Sequence, residues 1–253
     1  MRAPAFLRRL ELALADTVFP ENAVCLGCGR VSRGQPLCGP CREELNALRL
    51  SDGRAVWLYR GVPGRLVREA KERGIAAAAE VLSEGIAEQA RGLELPADTV
   101  VTWVPMPVRR RLDRGIDHGR MLAEAVAGRL GLTARAVLRR KKGSSQKTQR
   151  GLSREERLQN VRDAFELGKA PVPACVLLVD DVVTTGATGT ACRETLLRGG
   201  AERVYVLAAC AARAENRDEM GESDAGLDAD RAAAGSAAGL LDGGGRGAGA
   251  EYQ

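Results

Sequence analysis

The stretch at residues 176–188, VLLVDDVVTTGAT, decides the fold that this 253-residue sequence predicts. It begins with four apolar residues, which is typical of a strand buried in a parallel sheet. Asp180 and Asp181 follow, and the Gly/Thr-rich turn at 184–188 then opens a helix. Another apolar run, at 203–209, comes after that helix. Strand, turn, helix and strand in this order form a βαβ unit, so we predict an α/β domain with a parallel sheet and flanking helices.

Further elements are predicted on the N-terminal side of this unit. The run TVVTWV at 99–104 indicates a second buried strand, which Pro105 and Pro107 end. The basic, Gly/Ser-containing stretch at 139–150, RRKKGSSQKTQR, predicts a mobile loop. Hydrophobic patterns and a capping-box spacing predict the remaining elements, namely a strand at 55–59 and helices at 6–15, 66–90 (interrupted near Gly74), 119–130 and from Ser153 onward.

Composition predicts three regions, which are an N-terminal helix and cysteine module at 1–50, the α/β domain at 55–213, and a disordered Gly/Ala-rich tail at 214–253. The formal net charge of +5 favours anionic partners, although an Arg-rich composition alone often produces such a value. No run approaches the roughly 18 apolar residues that span a bilayer, so we expect no membrane insertion. The first residues lack a signal-peptide cleavage pattern, so we expect a cytoplasmic protein.

Four of the seven cysteines form two Cys-x2-Cys pairs, Cys25/Cys28 and Cys38/Cys41. Each pair can bring two thiolates to one ion, and four sulfurs make a closed tetrahedral zinc site of the structural type. In a reducing compartment, metal binding is favoured over disulfides. The alternative is four unrelated buried cysteines. We predict a small zinc module ahead of the α/β domain.

The acid pair and the turn after it predict a binding site for a sugar phosphate. Open α/β sheets bind ligands at the carboxyl ends of their strands. A helix N-terminus offers amide donors and partial positive charge to a phosphate, and two carboxylates can accept bonds from vicinal hydroxyls. A ribose 5-phosphate would satisfy both halves. A purely structural interpretation, in which Asp180 and Asp181 only end a strand and cap a helix, requires cations for both carboxylates.

The same segment resembles the thirteen-residue signature of type I phosphoribosyltransferases, which bind 5-phosphoribosyl 1-diphosphate (PRPP). The resemblance implies that Asp180 and Asp181 are the catalytic pair and hold the 2- and 3-hydroxyls of the ribose. It also implies that the 5-phosphate is held by the turn residues Thr184, Thr185, Gly186, Ala187 and Thr188. In this family Mg²⁺ is bound with the diphosphate, mostly through water and hydroxyl ligands.

Zinc knuckles ahead of a PRPP signature make the whole chain similar to the ComF family of competence-associated phosphoribosyltransferase-like proteins. The motifs that carry this resemblance are Tyr59-Arg60-Gly61, Lys71 with Gly74, Val104-Pro105-Met106-Pro107, Arg114-Gly115-Ile116-Asp117-His118, Leu122-Ala123, Gln149, Leu152-Ser153, Arg157, Asn160-Val161 and Phe165. Two positions depart from the family pattern. Ile116 stands in place of Phe, which affects packing, and Asp117 stands in place of Asn, which adds negative charge near the expected diphosphate loop.

The basic stretches after the first buried strand and in the predicted mobile loop would neutralise the departing diphosphate. Arg109 and Arg114 are the principal candidates, and the further ones are Arg110, Arg111, Lys141, Lys142 and Lys147. For each of them the alternative is a solvated surface charge. A loop at 139–150 would close over the substrate and exclude water. The single histidine, His118, is expected to make a contact at the start of a helix rather than to act as an acid or base.

Three functions are consistent with these motifs. The first is a PRPP-dependent transferase, whose acceptor the sequence does not identify. The second, implied by the resemblance, is a single-stranded DNA-binding factor of natural transformation, with PRPP as regulatory ligand and competence proteins such as a helicase as partners. The third is a degenerate fold that keeps the ligand site as a scaffold or sensor.

Overall fold

The computed structural model describes residues 24–32, 34–51, 53–107, 115–141 and 163–212. The strands are β1 (Ala55–Leu58), β2 (Val100–Trp103), β3 (Thr133–Ala134), β4 (Leu138–Arg140), β5 (Phe165–Leu167), β6 (Cys175–Val183) and β7 (Arg203–Ala211). The helices are α1 (Gly39–Ala47), α2 (Gly61–Arg73), α3 (Ala76–Arg91), α4 (His118–Leu130) and α5 (Ala187–Arg198). Within this described part, no helix is both long enough and apolar enough to cross a membrane.

The central sheet has five parallel strands in the order β1-β7-β6-β2-β3. In its middle, Val101 pairs with Leu177, and Leu177 pairs with Tyr205. A separate antiparallel pair, β4 with β5, adds a small second sheet. The predicted α/β fold with a parallel sheet and flanking helices is therefore confirmed.

The core is divided by the sheet because successive side chains of a strand point to opposite faces. Leu177 and Val179 belong to the larger cluster, together with apolar residues of α2, α3 and α4. Val176 and Leu178 belong to the other cluster, together with residues of α5, β4 and β5. All four side chains are almost completely buried. The continuous apolar run in the sequence thus reflects a strand that is covered on both faces.

The chain leaves the centre of the sheet in two opposite directions. After β2 it runs through α4 to the edge strand β3, whereas after β6 it runs through α5 to β7. Because β2 and β6 are neighbours, the crevice beyond their carboxyl ends is a topological switch point, where open α/β sheets bind ligands. This topology positions the ends of β2 and β6, together with the starts of α4 and α5, around one place.

The structure corrects three element boundaries. Strand β6 continues to Val183 instead of ending before the acid pair, because Val182 and Val183 still pair with Cys210 and Ala211 of β7. The helical stretch expected at 66–90 begins earlier, at Gly61, whereas its predicted interruption near Gly74 is confirmed, because Gly74 ends α2 in the left-handed region with φ 67°. Arg139 and Arg140 lie in β4 and not in a loop.

No sequence pattern indicates β3, β4 or β5, which have two or three residues each and carry too few side chains for a periodic pattern. Several predictions concern residues outside the described ranges. They are the helix at 6–15, most of the basic loop at 139–150, the helix from Ser153, the tail at 214–253, and the cationic candidates Arg109, Arg110, Arg111, Arg114, Lys142 and Lys147.

Candidate functional site

The two adjacent acids lie in the last third of β6, at the switch point of the sheet. Strand alternation places Asp181 on the face of Leu177 and Val179, where α2 and α4 pack, and Asp180 on the face covered by α5. Burial and then the charge of Asp181 raise the pKa of Cys210 to about 12, whereas burial and then the charge of Asp180 raise the pKa of Cys192. The two carboxyls therefore have different surroundings although they are neighbours in sequence.

Asp181 is surrounded by hydrogen-bond donors. The ammonium of Lys71 donates to its Oδ2 at 2.7 Å, and the His118 Nε2 lies 3.1 Å from the same oxygen. The backbone N–H of Val182 donates to Oδ1 at 2.8 Å. Burial raises the pKa of this carboxyl, but the hydrogen bond from His118 and the charge of Lys71 outweigh burial and hold the pKa well below its usual range. Asp181 is therefore ionised at neutral pH.

The pKa of Asp180 is shifted in the opposite direction. Its Oδ1 accepts the backbone N–H of Asp181 at 2.9 Å. Burial, followed by the negative charge of Asp181, raises the pKa of Asp180 to about 8. At neutral pH the pair consequently carries close to one negative charge and one proton. Of the cations that a purely structural interpretation requires, Lys71 and His118 contact Asp181 directly, whereas Lys71 acts on Asp180 only through its charge, which opposes the upward shift of the Asp180 pKa without overcoming it.

The turn after β6 leads directly into an uncapped helix. Thr184 and Thr185 are exposed in this turn, and Gly186 is the N-cap residue of α5, with φ 73° in the left-handed region. Ala187 and Thr188 are the first two residues of α5. The helix has no side-chain cap on its N-cap residue and no acidic residue in its first turn. The Ala187 N–H has one long contact, at 3.5 Å, with the Oγ1 of Thr185. The start of α5 therefore offers amide donors to an external acceptor such as a phosphate, with at most this weak competition from the turn.

The two positions that depart from the family pattern lie immediately before α4. The carboxylate of Asp117 accepts the backbone N–H of Arg120 at 3.1 Å and so caps the helix, a role in which Asp and Asn are equivalent. Ile116 packs against Gly74, where an added Cβ would collide with the Ile116 side chain. The substitution of Ile for Phe thus lies in the contact between the start of α4 and the end of α2.

Two residues of the site were not assigned to it from the sequence. Lys71 appeared only as part of a motif, and its contact with Asp181 joins residues 110 positions apart. His118 is the first residue of α4, as expected for a helix-start contact, and it additionally reaches Asp181. The only signal for either residue was that the cations demanded by two adjacent buried carboxylates must come from elsewhere in the chain.

The four cysteines of the N-terminal module converge on one point. The Sγ atoms of Cys25, Cys28, Cys38 and Cys41 all lie within 4.8 Å of one another, and the Sγ atoms of Cys28 and Cys38 are 3.7 Å apart. Zinc–sulfur bonds of about 2.3 Å in a tetrahedron require sulfurs about 3.8 Å apart. The cluster is therefore compatible with the predicted structural zinc, which would crosslink the two knuckles.

The local backbone suits thiolate ligands. The N–H groups of Gly27 and Cys38 each lie 3.3 Å from the Sγ of Cys25. Burial opposes ionisation, but backbone donors from Cys38, Cys28 and Gly27 lower the pKa of Cys25 to about 6. Gly27 also allows a close approach, because an added Cβ would lie 2.6 Å from the Sγ of Cys41.

The cysteine module contacts the helix that carries Lys71. Glu44 of α1 accepts the backbone N–H of Val62 at 2.9 Å, which satisfies one of the free amides at the start of α2. Arg65 of α2 lies 3.7 Å from the other carboxylate oxygen. Cys25 and Cys41 share the larger core cluster with Val62 and Leu66. One end of α2 therefore meets the cysteine module, and the other end presents Lys71 to Asp181.

These features define a parallel α/β domain joined to a four-cysteine module. No protein-family model matches the chain. It is 36% identical over 227 residues to DNA utilization protein YhgH of Salmonella typhimurium, across 81% of this chain and 95% of that protein. It is 29% identical over 226 residues to the Escherichia coli protein of the same name, and 27% identical over 209 residues, 74% of this chain and 89% of that protein, to Competence protein F of Haemophilus influenzae. The chain belongs to the ComF family, which these relatives represent.

Several solved structures can be superposed on about half of the chain. They include the allosteric regulatory enzyme of purine biosynthesis (TM-score 0.37, 24% identity, 53% of this chain) and the glutamine PRPP amidotransferase of B. subtilis with ADP and GMP (0.38, 21%, 53%). The chain spans 26% of the length of each of these two. A hypoxanthine phosphoribosyltransferase of Staphylococcus aureus overlaps with a TM-score of 0.33 and 10% identity, over 51% of this chain and 61% of that one.

Proposed function

We propose that this protein binds PRPP together with Mg²⁺ in the crevice at the carboxyl end of β6. The observation that carries the proposal is the acid pair Asp180/Asp181, which lies at the topological switch point and is followed at once by the uncapped N-terminus of α5. Paired carboxyls suit vicinal hydroxyls, and free helix amides suit a terminal phosphate. A phosphorylated ribose presents both groups.

Each part of the site has a distinct role in this proposal. Asp180 and Asp181 engage the 2- and 3-hydroxyls of the ribose. The residues of the turn and the start of α5 bind the 5-phosphate, namely Thr184, Thr185, Gly186, Ala187 and Thr188. Arg109 and Arg114 would neutralise the diphosphate. Mg²⁺ would bind with the diphosphate and supply charge neutralisation, with oxygen ligands as this hard cation prefers.

Phosphoribosyl transfer requires little from the protein beyond orientation and electrostatics. The sugar becomes cationic at C1 as the diphosphate departs, so an ionised carboxylate near the ribose stabilises the developing charge. Binding the phosphoribosyl donor and its acceptor in the correct relative orientation supplies much of the remaining acceleration. In the described part of the chain, no serine or cysteine lies beside a histidine and an acid as an activated nucleophile. We therefore favour direct transfer to an acceptor, rather than a covalent intermediate, if the protein turns PRPP over.

A second candidate function follows from the relatives, whose names refer to DNA utilization and to competence. In this alternative the protein is a cytoplasmic accessory factor that binds single-stranded DNA during uptake, with PRPP as a regulatory ligand and competence proteins such as a helicase as partners. The net charge of +5 supports binding to a polyanion. The low aromatic content of 3% leaves few side chains on which bases can stack.

Isothermal titration of the zinc-loaded protein with PRPP and Mg²⁺ tests the proposal. We expect saturable binding by the wild type, and a loss of about 100-fold or more in Asp180→Asn/Asp181→Asn, because two hydrogen bonds to an acidic pair are weakened. Asp98→Asn, a change at an exposed acid outside the site, serves as the control and should bind normally. Absence of binding by folded, zinc-loaded wild type would contradict the proposal.

Two further measurements separate the candidate functions. Release of diphosphate in the presence of amine or nucleobase acceptors is expected of a transferase and not of a binding module. A titration with single-stranded DNA at several salt concentrations, with and without PRPP, is expected to show a salt-dependent affinity that PRPP alters if the second function holds.

A further inference from the structure

Three separate elements bring charged groups to one oxygen atom. Lys71 lies in the last turn of α2, His118 is the first residue of α4, and Asp181 lies in β6. The Lys71 Nζ is 2.7 Å and the His118 Nε2 is 3.1 Å from Oδ2 of Asp181. The side chains of Asp181 and His118 are each 12% exposed, whereas that of Lys71 is 31% exposed. This arrangement is a three-residue network at the candidate ligand site, and its geometry is set by tertiary packing.

The hydrogen-bonding capacity of the two acids differs as a result. A carboxylate offers about four lone-pair sites. Asp181 uses three of them, for Lys71, His118 and the Val182 N–H. Asp180, on the opposite face of the strand, accepts only the Asp181 N–H from the described residues. Most of the lone pairs that can still accept a bond from a ligand hydroxyl therefore belong to Asp180, and one remains on Asp181.

His118 has a single orientation in this network. In the described part of the chain, its Nδ1 is buried without a hydrogen-bond partner, so the contact through Nε2 is what orients the ring. An Nε2–H that donates to a carboxylate is compatible with both the neutral and the charged ring. The contact supplies a spectroscopic marker for the network.

This inference rests on the proposed function. We propose that Lys71 and His118 are positioning residues of the PRPP site, which hold the carboxyl of Asp181 in a fixed orientation and leave Asp180 as the principal carboxyl for a ligand hydroxyl. The cation at Lys71 also offsets the charge of the acid pair, which would otherwise repel a ligand with two anionic ends. Lys71 and His118 act through Asp181, so their effect on the ligand is indirect.

The first experiment needs no ligand. His118 is the only histidine of the chain, so its imidazole signals in proton–nitrogen correlation spectra belong to one residue. We expect an Nε2–H signal that exchanges slowly with water and lies at the low field typical of a bond to a carboxylate. It should be lost or displaced in Asp181→Asn and displaced in Lys71→Met. Arg73→Met is the matched control, because it removes another cation from the last turn of α2 whose partner is Glu69 and not Asp181.

The second experiment measures PRPP affinity in the presence of Mg²⁺ by titration calorimetry. We expect Lys71→Met to bind about 10-fold to 100-fold more weakly than wild type, as for the loss of a hydrogen bond to a charged group. Lys71→Arg should recover most of the affinity, and Arg73→Met should stay within about threefold. Asp180→Asn should lose more affinity than Lys71→Met while leaving the His118 signal in place. Circular dichroism of each variant verifies that it is folded.

The outcomes separate this inference from the proposed function. An unchanged His118 signal in folded Asp181→Asn would overturn the network itself. Equal PRPP affinities of Lys71→Met and Arg73→Met would overturn the positioning role, even if the wild type binds tightly. Failure of the wild type to bind PRPP, with a His118 signal that responds as expected, would overturn the proposed function and reduce the network to a stabilising contact of the fold.

Discussion

Lys71 and Asp181 form an ion pair with 2.7 Å between Nζ and Oδ2, although they are 110 residues apart in the chain. This ion pair connects the C-terminal end of α2 to the two acids of β6. The N-terminal end of α2 contacts the four-cysteine module through Glu44. The candidate ligand site and the cysteine module are therefore linked by one helix. Because the pair is mostly shielded from water, removing one partner leaves the other charge poorly compensated, which costs more than breaking an exposed ion pair.

Replacing Lys71 by Met should lower the free energy of unfolding by about 1–3 kcal/mol, because a largely buried carboxylate loses a charged hydrogen-bond donor. Urea unfolding of the zinc-loaded protein measures the change. Arg73→Met removes an exposed i,i+4 pair and should cost only about 0.3–0.5 kcal/mol. Equal losses for the two variants would show that the Lys71–Asp181 pair adds no more than a surface pair.

The raised pKa of Asp180 predicts that the free energy of unfolding depends on pH. Its pKa is raised to about 8 in the folded protein, against about 3.9 in the unfolded chain. Between these values the folded state holds a proton that the unfolded state has lost, so its contribution to stability is complete below about pH 4 and falls as the pH rises to about 8. Asp181, whose pKa is lowered, has the opposite effect and loses its contribution only in acid.

Unfolding midpoints between pH 5 and 9 test this dependence. The wild type should become less stable across the range, and Asp180→Asn should have a flatter profile because its side chain does not ionise. Asp98→Asn, at an exposed acid, should retain the wild-type slope. A wild-type profile as flat as that of Asp180→Asn would mean that Asp180 is ionised like an ordinary surface carboxyl.

Replacing Gly186 by a residue with a side chain should strain the backbone at the start of α5. The φ of 73° at Gly186 lies in the left-handed region, so Gly186→Ala should destabilise the protein by about 1–2 kcal/mol and weaken PRPP binding. Gly128 is a suitable comparison, because it lies inside α4 with open space around its Cα. Gly128→Ala should stabilise the protein by about 0.5–1 kcal/mol. Both changes are read from thermal unfolding, and a stabilising Gly186→Ala would contradict the assigned turn.

The four-cysteine cluster predicts one bound zinc ion per chain. Elemental analysis of Cys28→Ser should show loss of the metal together with marked destabilisation, since a structural zinc contributes folding free energy directly. Cys175→Ser changes a buried cysteine of β6 that lies outside the cluster, and it should retain the metal. Retention of a full equivalent of zinc by Cys28→Ser would contradict a four-sulfur site. Chelation of the wild type should reproduce the destabilisation.

Much of the fold could be predicted because it is encoded by local patterns. Apolar runs marked β2 and β6, a turn rich in Gly and Thr marked the start of α5, and the spacing of cysteines marked the metal cluster. The two-residue and three-residue strands were missed since they carry no periodicity. The end of β6 was misplaced because charged residues seldom continue a strand, whereas here pairing with the long strand β7 extends it past Asp180 and Asp181.

The sequence by itself determined that two carboxyls lie next to a Gly/Thr-rich turn of the kind that binds phosphate. The carboxyls and the turn are adjacent in the chain, at the end of one strand and the start of one helix. Only the tertiary structure decided that these carboxyls are unequal. A strand sends neighbouring side chains to opposite faces, so Asp181 meets Lys71 and His118 from two distant helices, while the described part of the chain forms no ion pair with Asp180. Charge and protonation depend on that packing, which residue order alone does not specify.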